Sequence, residues 1–541
     1  MKPRSGNLDR RYFRALAGGT CALWFAWACL APAAAAAPNV ASTADHTKFK
    51  ELQRSFKSGP DVTQACLTCH TEAARQTHKT KHWTWEFLHP LSGQKLGKKN
   101  IINNYCTSVT TNLASCSTCH VGYGWRDDTF DFTSEANVDC LVCHDTTGEY
   151  RKAPGKAGHP LYVEEKDASG VVRKPVDLAN VAQKVGKTSR DTCGVCHFYG
   201  GGGDGVKHGD LDSTLAAPEK ALDVHMEATG PDFTCATCHA TSGHNVPGSR
   251  YTPTAQDTKG PVMRGVDASD RNPATCQSCH GTTPHAGHDA RKLNTHTARI
   301  ACQTCHIPAM ARGGRPTKLS WDWSTAGKLS PDGKPISVKD AKGREIYSSL
   351  KGDFTVGENL VPEYRWFNGD VKYTLLSDKL EKSSGVVPIN SFGGGPGDPR
   401  SMIWPVKVFK GNQPYDPVHK TLLIVHTAGN DDTAYWKNFN WPEAARTGMA
   451  AVGMPFSGNV DFIRTEMVWP ITHMVAPKEN ALACRECHVR EGGRLAGITG
   501  VYLPGRDRAR WLDLIGWLAV AAMLAGALVH GGARIIAYRK R

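Results

Sequence analysis

The stretch Cys116-Ser-Thr-Cys119-His120 decides how this chain is read, because its spacing recurs seven more times. The other copies are Cys66-Leu-Thr-Cys69-His70, Cys140-Leu-Val-Cys143-His144, Cys193-Gly-Val-Cys196-His197, Cys235-Ala-Thr-Cys238-His239, Cys276-Gln-Ser-Cys279-His280, Cys302-Gln-Thr-Cys305-His306 and Cys484-Arg-Glu-Cys487-His488. Sixteen of the 19 cysteines fall in these patterns, where chance at this composition gives about 0.03 matches. An odd cysteine total excludes complete disulfide pairing within one chain. Zinc held by four thiolates needs no histidine after every pair.

The spacing has a direct chemical meaning. Two thiols separated by two residues add across the two vinyl groups of haem, and the next residue, histidine, sits beneath the iron. Eight covalently attached c-type haems follow, each needing a second axial ligand or an open position. Fifteen histidines lie outside the motifs: His46, His78, His82, His89, His159, His208, His225, His244, His285, His288, His296, His419, His426, His473 and His530. Those favoured as distal ligands are His78 or His82, His208, His225, His244, His285, His296 and His473. A haem with two histidines is saturated and suits electron transfer, whereas a catalytic haem keeps a displaceable or missing ligand.

Seven motifs crowd residues 66–306, so haem surfaces must replace much of an ordinary hydrophobic core. The expected fold class is a multihaem cytochrome c: short α-helices and irregular loops packed around eight haems, minor β-hairpins and one C-terminal transmembrane helix. Residues 307–483 carry no motif but hold seven of the 14 tryptophans, and Glu363–Leu376 reads as a hairpin about Asn368-Gly369. The organisation expected is a signal peptide over 1–37, a seven-haem core over 38–306, a haem-poor wrapping segment with the eighth motif over 307–505, and a membrane anchor over 506–541.

The ends set the compartment. Lys2, Arg4, Arg10, Arg11 and Arg14 precede an apolar run and a small-residue stretch at 31–37, the pattern of a secretory signal. Cys21 and Cys29 would leave with it. Leu514–Ala533 is free of formal charge, and at about 1.5 Å per residue it spans a bilayer core. The body is therefore expected on the periplasmic side of a bacterial inner membrane, with Arg539-Lys540-Arg541 in the cytoplasm.

Three residues remain unabsorbed. Cys106 is the mature cysteine outside a motif, a buried inert thiol or a reactive one. Lys207 and His208 follow the glycine run Gly200–Gly203 and Gly205, which allows backbone to approach a flat cofactor closely. If that stretch is extended, the two side chains point to opposite sides and can serve two different haems; a solvated lysine is the plainer reading.

The chain resembles the octahaem tetrathionate reductase family of multihaem c-type cytochromes over essentially residues 60–490. The likeness rests on His82-Trp-Thr-Trp85, Asn103-Asn-Tyr-Cys106, Cys116 to Trp125, Val138 to Gly148, Gly200 to Asp212, Asp223-Val-His-Met226, Cys302 to Pro308 and Pro362 to Gly369. The resemblance implies seven bis-histidine haems and a special haem at Cys116, Cys119 and His120. It makes Lys207 the distal ligand there, Cys106 the active-site thiol and Asp204 a neighbour. It further implies reduction of tetrathionate to thiosulfate. Nitrite or hydroxylamine reduction at the same haem, or an electron conduit without a substrate of its own, stay open. The anchor departs from a soluble enzyme and points to a membrane b-type cytochrome or the quinone pool as donor.

The formal charge of +14 would suggest a nucleic-acid partner. The leader accounts for +4 of it and residues 506–541 for +5, leaving the body at +5. Eight ferric haems add about +8 at iron and about −16 at ionised propionates. The basicity is largely counter-charge for haem carboxylates plus the membrane flanks, and no nucleic acid is expected. The substrate expected is a small anion; the oligomeric state is not legible in the sequence.

Overall fold

The thiol pairs lie on single helical turns. In the computed structural model, which describes residues 44–106, 108–166, 170–257, 274–380, 385–429 and 431–541, short helices carry the motifs. Gly59–Leu67 carries Cys66, Leu113–Cys116 runs into the 3₁₀ turn Ser117–Cys119, and Leu141–His144 carries Cys143. Arg190–His197, Cys235–Cys238, Gln277–His280, Cys302–His306 and Cys484–Cys487 follow. A helical turn places residues three and four apart on one face, so two thiols and the following histidine gather on one side. Two of these helices are closed by local signals. Ser58 caps Gly59–Leu67 by accepting from Asp61 N–H, and Ser189 with Thr192 forms a capping box on Arg190–His197. The expected signal peptide at 1–37 lies outside the described residues.

Residues 317–470 correct the expectation of minor hairpins. They build a nine-stranded mixed sheet around the long strand Met402–Asp416. That strand pairs antiparallel with Asp461–Pro470 along ten residues, from Val406 opposite Pro470 to Tyr415 opposite Asp461. Its other edge runs parallel to Thr317–Asp322 and antiparallel to Glu363–Phe367. Glu363–Leu376 does not close on itself as a hairpin. Glu363–Phe367 pairs with the central strand, and Val371–Tyr373 pairs instead with Asn390–Phe392. Asn368-Gly369, with Gly369 at φ +94°, turns the chain from one sheet to the other.

The central strand is buried nearly throughout, and its tryptophan-rich surroundings form the largest apolar core. Trp321, Trp323, Trp404 and Trp469 join Phe367, Phe409 and Tyr435 there. Ile101, Ile102 and Tyr105 of the haem region insert into the same core. The wrapping segment is therefore the scaffold against which the loop bearing Cys106 is folded. The apolar C-terminal helix runs Arg510–Arg539, longer at both ends than the expected Leu514–Ala533, and is exposed along its length.

Candidate haem ligation sites and active site

Seven motif histidines each face one histidine from elsewhere in the chain. His46 faces His70 with ring centroids 6.3 Å apart, His82 faces His197 at 6.2 Å, and His244 faces His144 at 6.4 Å. His473 faces His239 at 6.5 Å, His225 faces His280 at 5.9 Å, His285 faces His306 at 6.3 Å and His296 faces His488 at 6.1 Å. Two imidazoles on one metal, with about 2.0–2.1 Å per metal–nitrogen bond and roughly 1.1 Å from nitrogen to ring centre, put the centroids about 6.3 Å apart. The observed separations meet that value.

The ring nitrogens agree with it. Nδ1 of His144, His239 and His488 lies 2.8, 2.9 and 3.0 Å from the carbonyl oxygens of Gly186, Pro247 and Pro504. On the distal side, Nδ1 of His244 meets Gln76 Oε1 at 2.8 Å, that of His285 meets Asn294 Oδ1 at 3.0 Å, and that of His296 meets Lys292 O at 2.7 Å. His473 Nδ1 lies 3.2 Å from the buried Asp210 carboxylate. An imidazole that donates from Nδ1 keeps Nε2 for a metal and is fixed in tautomer and orientation. The donor set fits haem iron.

Of the favoured distal histidines, His82, His225, His244, His285, His296 and His473 stand in such pairs. His78 instead stacks on Trp83 at 4.5 Å, and His208 packs edge-on to Trp469 at 5.0 Å, neither opposite a motif histidine. The partner that sequence reasoning did not favour is His46. It sits on the one-turn helix His46–Lys48, whose Asp45 cap accepts from Thr47 N–H. Its signal was position alone, some twenty residues before the first motif.

The second motif differs from all the others. His120 has no histidine opposite. Its Nε2 lies 2.7 Å from Trp83 O, its Nδ1 is buried without a hydrogen-bond partner, and Trp83, Trp85 and Trp125 surround the ring at 5.2, 5.4 and 4.7 Å. Burial holds its pKa down at about 3. A buried polar atom left unpaired costs about 1–3 kcal/mol, so the protein alone does not satisfy this ring.

Lys207 and Cys106 lie beside the same motif. Gly201 and Gly202, at φ +88° and +91°, let the glycine loop fold tightly over them: a Cβ on Gly201 would stand 3.2 Å from Lys207 Cβ, and one on Gly202 3.9 Å from Cys106 Sγ. The Cys106 thiol lies 3.7 Å from Gly201 O, to which it donates. Burial raises its pKa, against the pull of Lys351, Lys98, Lys318 and Lys207. Desolvation, reinforced by Arg250 and Lys98, brings Lys207 down to about 7. Lys207 and His208 both approach the Trp469 indole, Nζ at 5.5 Å and the imidazole at 5.0 Å. Asp204 turns away: its carboxylate accepts from Ser213 N and Oγ and pairs with Arg315.

The motifs also touch one another. The thiols of Cys66 and Cys140 lie close enough to shift each other's ionisation, as do those of Cys119 and Cys196, Cys193 and Cys235, and Cys276 and Cys302. Cys143 lies within electrostatic reach of Cys193, Cys238 of Cys276, and Cys487 of Cys305. The eight motifs therefore form one continuous series, with the second branching from the fourth. No disulfide is present among the described cysteines.

Fold, motifs and imidazole pairs define a multihaem c-type cytochrome. Residues 318–491 match the family described as bacterial cytochrome c. The octahaem cytochrome c from Shewanella oneidensis is 41% identical, with a TM-score of 0.71 over 83% of this chain and 95% of that one. An uncharacterised protein from Archaeoglobus fulgidus is 24% identical over 242 residues, 37% of this chain and 79% of that protein. The chain belongs to the octahaem cytochrome c family, and fits the octahaem tetrathionate reductases whose motifs it shares.

Proposed function

We propose that this protein is a membrane-anchored oxidoreductase that reduces tetrathionate to two thiosulfates at the second motif, with seven bis-histidine haems relaying electrons. The observation that carries this is the asymmetry among the motifs. Seven histidines have an imidazole partner at ligation distance, whereas His120 has none and shares its surroundings with Lys207 and Cys106. Cys116, Cys119 and His120 would hold the haem at this motif, and Lys207 would supply its second nitrogen ligand.

The chemistry follows from the residues. Cys106 attacks a sulfane sulfur of tetrathionate as a thiolate, breaking the central S–S bond, forming a mixed disulfide and releasing one thiosulfate. Two electrons then break the mixed disulfide, releasing the second thiosulfate and restoring the thiolate. When bound, the haem of Cys116 and Cys119 supplies those electrons one at a time. Lys98, Lys318 and Lys351, which favour the ionised thiol, also suit a substrate carrying a sulfonate at each end. Electrons come from the membrane, through a b-type cytochrome or the quinone pool, with the body on the periplasmic side.

Cys106→Ser is expected to abolish tetrathionate reduction while leaving the visible spectrum intact. Nitrite or hydroxylamine turnover that survives this change, with tetrathionate unaffected by the parent protein, would overturn the reading. Lys207→Leu is expected to alter the electron paramagnetic resonance signature of one haem out of the set; an unchanged spectrum removes Lys207 as ligand.

A further inference from the structure

The eighth motif is joined to the membrane helix by a stalk with little freedom to move. Pro504 O lies 3.0 Å from Nδ1 of His488, and Gly505, at φ +94°, passes so close that a Cβ there would stand 3.0 Å from the His488 carbonyl carbon. Arg506 knots the segment: its guanidinium donates to the carbonyls of Leu495, Ile498 and Val501 and pairs with Asp507, whose carboxylate accepts from Leu503 N–H at 2.7 Å. Leu495, Ile498 and Leu503 pack with Ile403 of the central strand, and Cys487 lies against this cluster. The helix begins at Arg510. Five residues lie between it and Pro504, six Cα steps that span at most about 22 Å of chain.

Aromatic and apolar side chains stand exposed in the segments that flank this motif. Tyr502 and Trp511 are 69% and 64% exposed, and Val489 and Val501 stand out beside them. Aromatic side chains of this kind sit at headgroup level. Cys484 is itself exposed.

We infer that the haem of Cys484–His488 is the port through which electrons from the quinol pool of the bilayer enter the protein. The inference rests on the haem and anchor assignments above. Quinol would give up two electrons to the haem, one at a time, and two protons to the water on the body's side of the bilayer, leaving quinone. The electrons would enter singly at the eighth site and pass by way of the seventh, sixth, fifth and fourth motifs to the second. The third and first motifs form a side branch.

The test uses the full-length protein in vesicles supplied with a reduced quinol analogue, with haem reduction followed by absorbance. A rigid helical spacer of about 20 residues between Arg508 and Ala509 raises the body by roughly 30 Å and touches no haem ligand. Quinol-driven reduction is expected to be lost, while dithionite still reduces the spacer variant fully; reduction at the parent rate would overturn the port. Cys484→Ser with Cys487→Ser is expected to carry one haem fewer and to lose quinol-driven reduction of the rest. Reduction of the remaining haems at the parent rate also overturns the port. An unchanged haem count, or parent protein that washes out of vesicles at alkaline pH, would instead mark failure of the underlying assignments.

Discussion

Lys407 and Thr317 hold the backbone of Lys207, the proposed second ligand at the second motif. Lys407 Nζ, fully buried, donates to the carbonyls of Val206 at 2.8 Å and Lys207 at 3.2 Å and to Thr317 Oγ1 at 2.5 Å. The Thr317 hydroxyl lies 2.7 Å from Gly205 O and 3.0 Å from His208 O. Four consecutive carbonyls are thus fixed by two side chains from neighbouring strands of the sheet. Thr317→Val keeps the shape and removes the hydroxyl, leaving those carbonyls and Lys407 short of a partner at a cost of about 1–3 kcal/mol. Denaturant unfolding should show that loss, and the signature of the second haem should shift while the other seven stay put. Thr317→Ser should restore both. Sequence reasoning reached Lys207 through the glycine run and the family likeness. It did not reach Lys407, because a lysine inside an apolar strand carries no mark of the loop it grips.

At the scale of elements, the central strand is what the sequence conceals. Pro405, Lys407, Gly411, Gln413 and Pro414 interrupt any alternating pattern, so Met402–Asp416 does not read as a buried strand. The polar interruptions are explained by the loop bearing Cys106. Gln413 Nε2 donates to Asn103 O at 2.7 Å, and Asn104 Nδ2 donates to Phe409 O at 2.7 Å. Gly411 leaves room for this contact, since a Cβ there would come within 2.9 Å of Asn104 Cβ and 2.5 Å of Thr465 Oγ1. Gly411→Ala should therefore destabilise the fold by about 1–3 kcal/mol and slow turnover by displacing Cys106, with the haem count unchanged. The same strand ends in a pH-sensitive cap. The Asp416 carboxylate accepts from Val418 N–H, His419 N–H, Ser457 N–H and Ser457 Oγ–H. Burial alone would raise its pKa, but these donors hold it below the ordinary value. With the folded pKa depressed, the stabilisation is complete above about pH 4 and is lost as pH falls through the lower folded value. Asp416→Asn should remove that acid-limb dependence in thermal melts.

Across the whole molecule, the recurring Cys-x-x-Cys-His pattern made the haem sites legible and pointed to six of the seven imidazole partners, while which partner serves which motif was not legible, because all but His46 cross from one motif's neighbourhood into another's. His82 serves the fourth motif and His473 the fifth, over separations that only the folded chain supplies. The charge, too, makes sense only for the assembled protein. Without residues 1–37, the proposed leader, the chain carries a formal +10, and eight ferric haems with ionised propionates would bring it to about +2. Much of the lysine and arginine is then counter-charge within the protein, and little is left to attract a polyanion. The mature haem-loaded protein should accordingly focus well below the sequence isoelectric point of about 9.0. It should also show no salt-dependent retention on duplex DNA at moderate ionic strength, where a protein making many phosphate contacts would still bind. Focusing near 9 would mean that the propionates are largely protonated or that fewer haems are attached, and counting haem in the same sample separates the two.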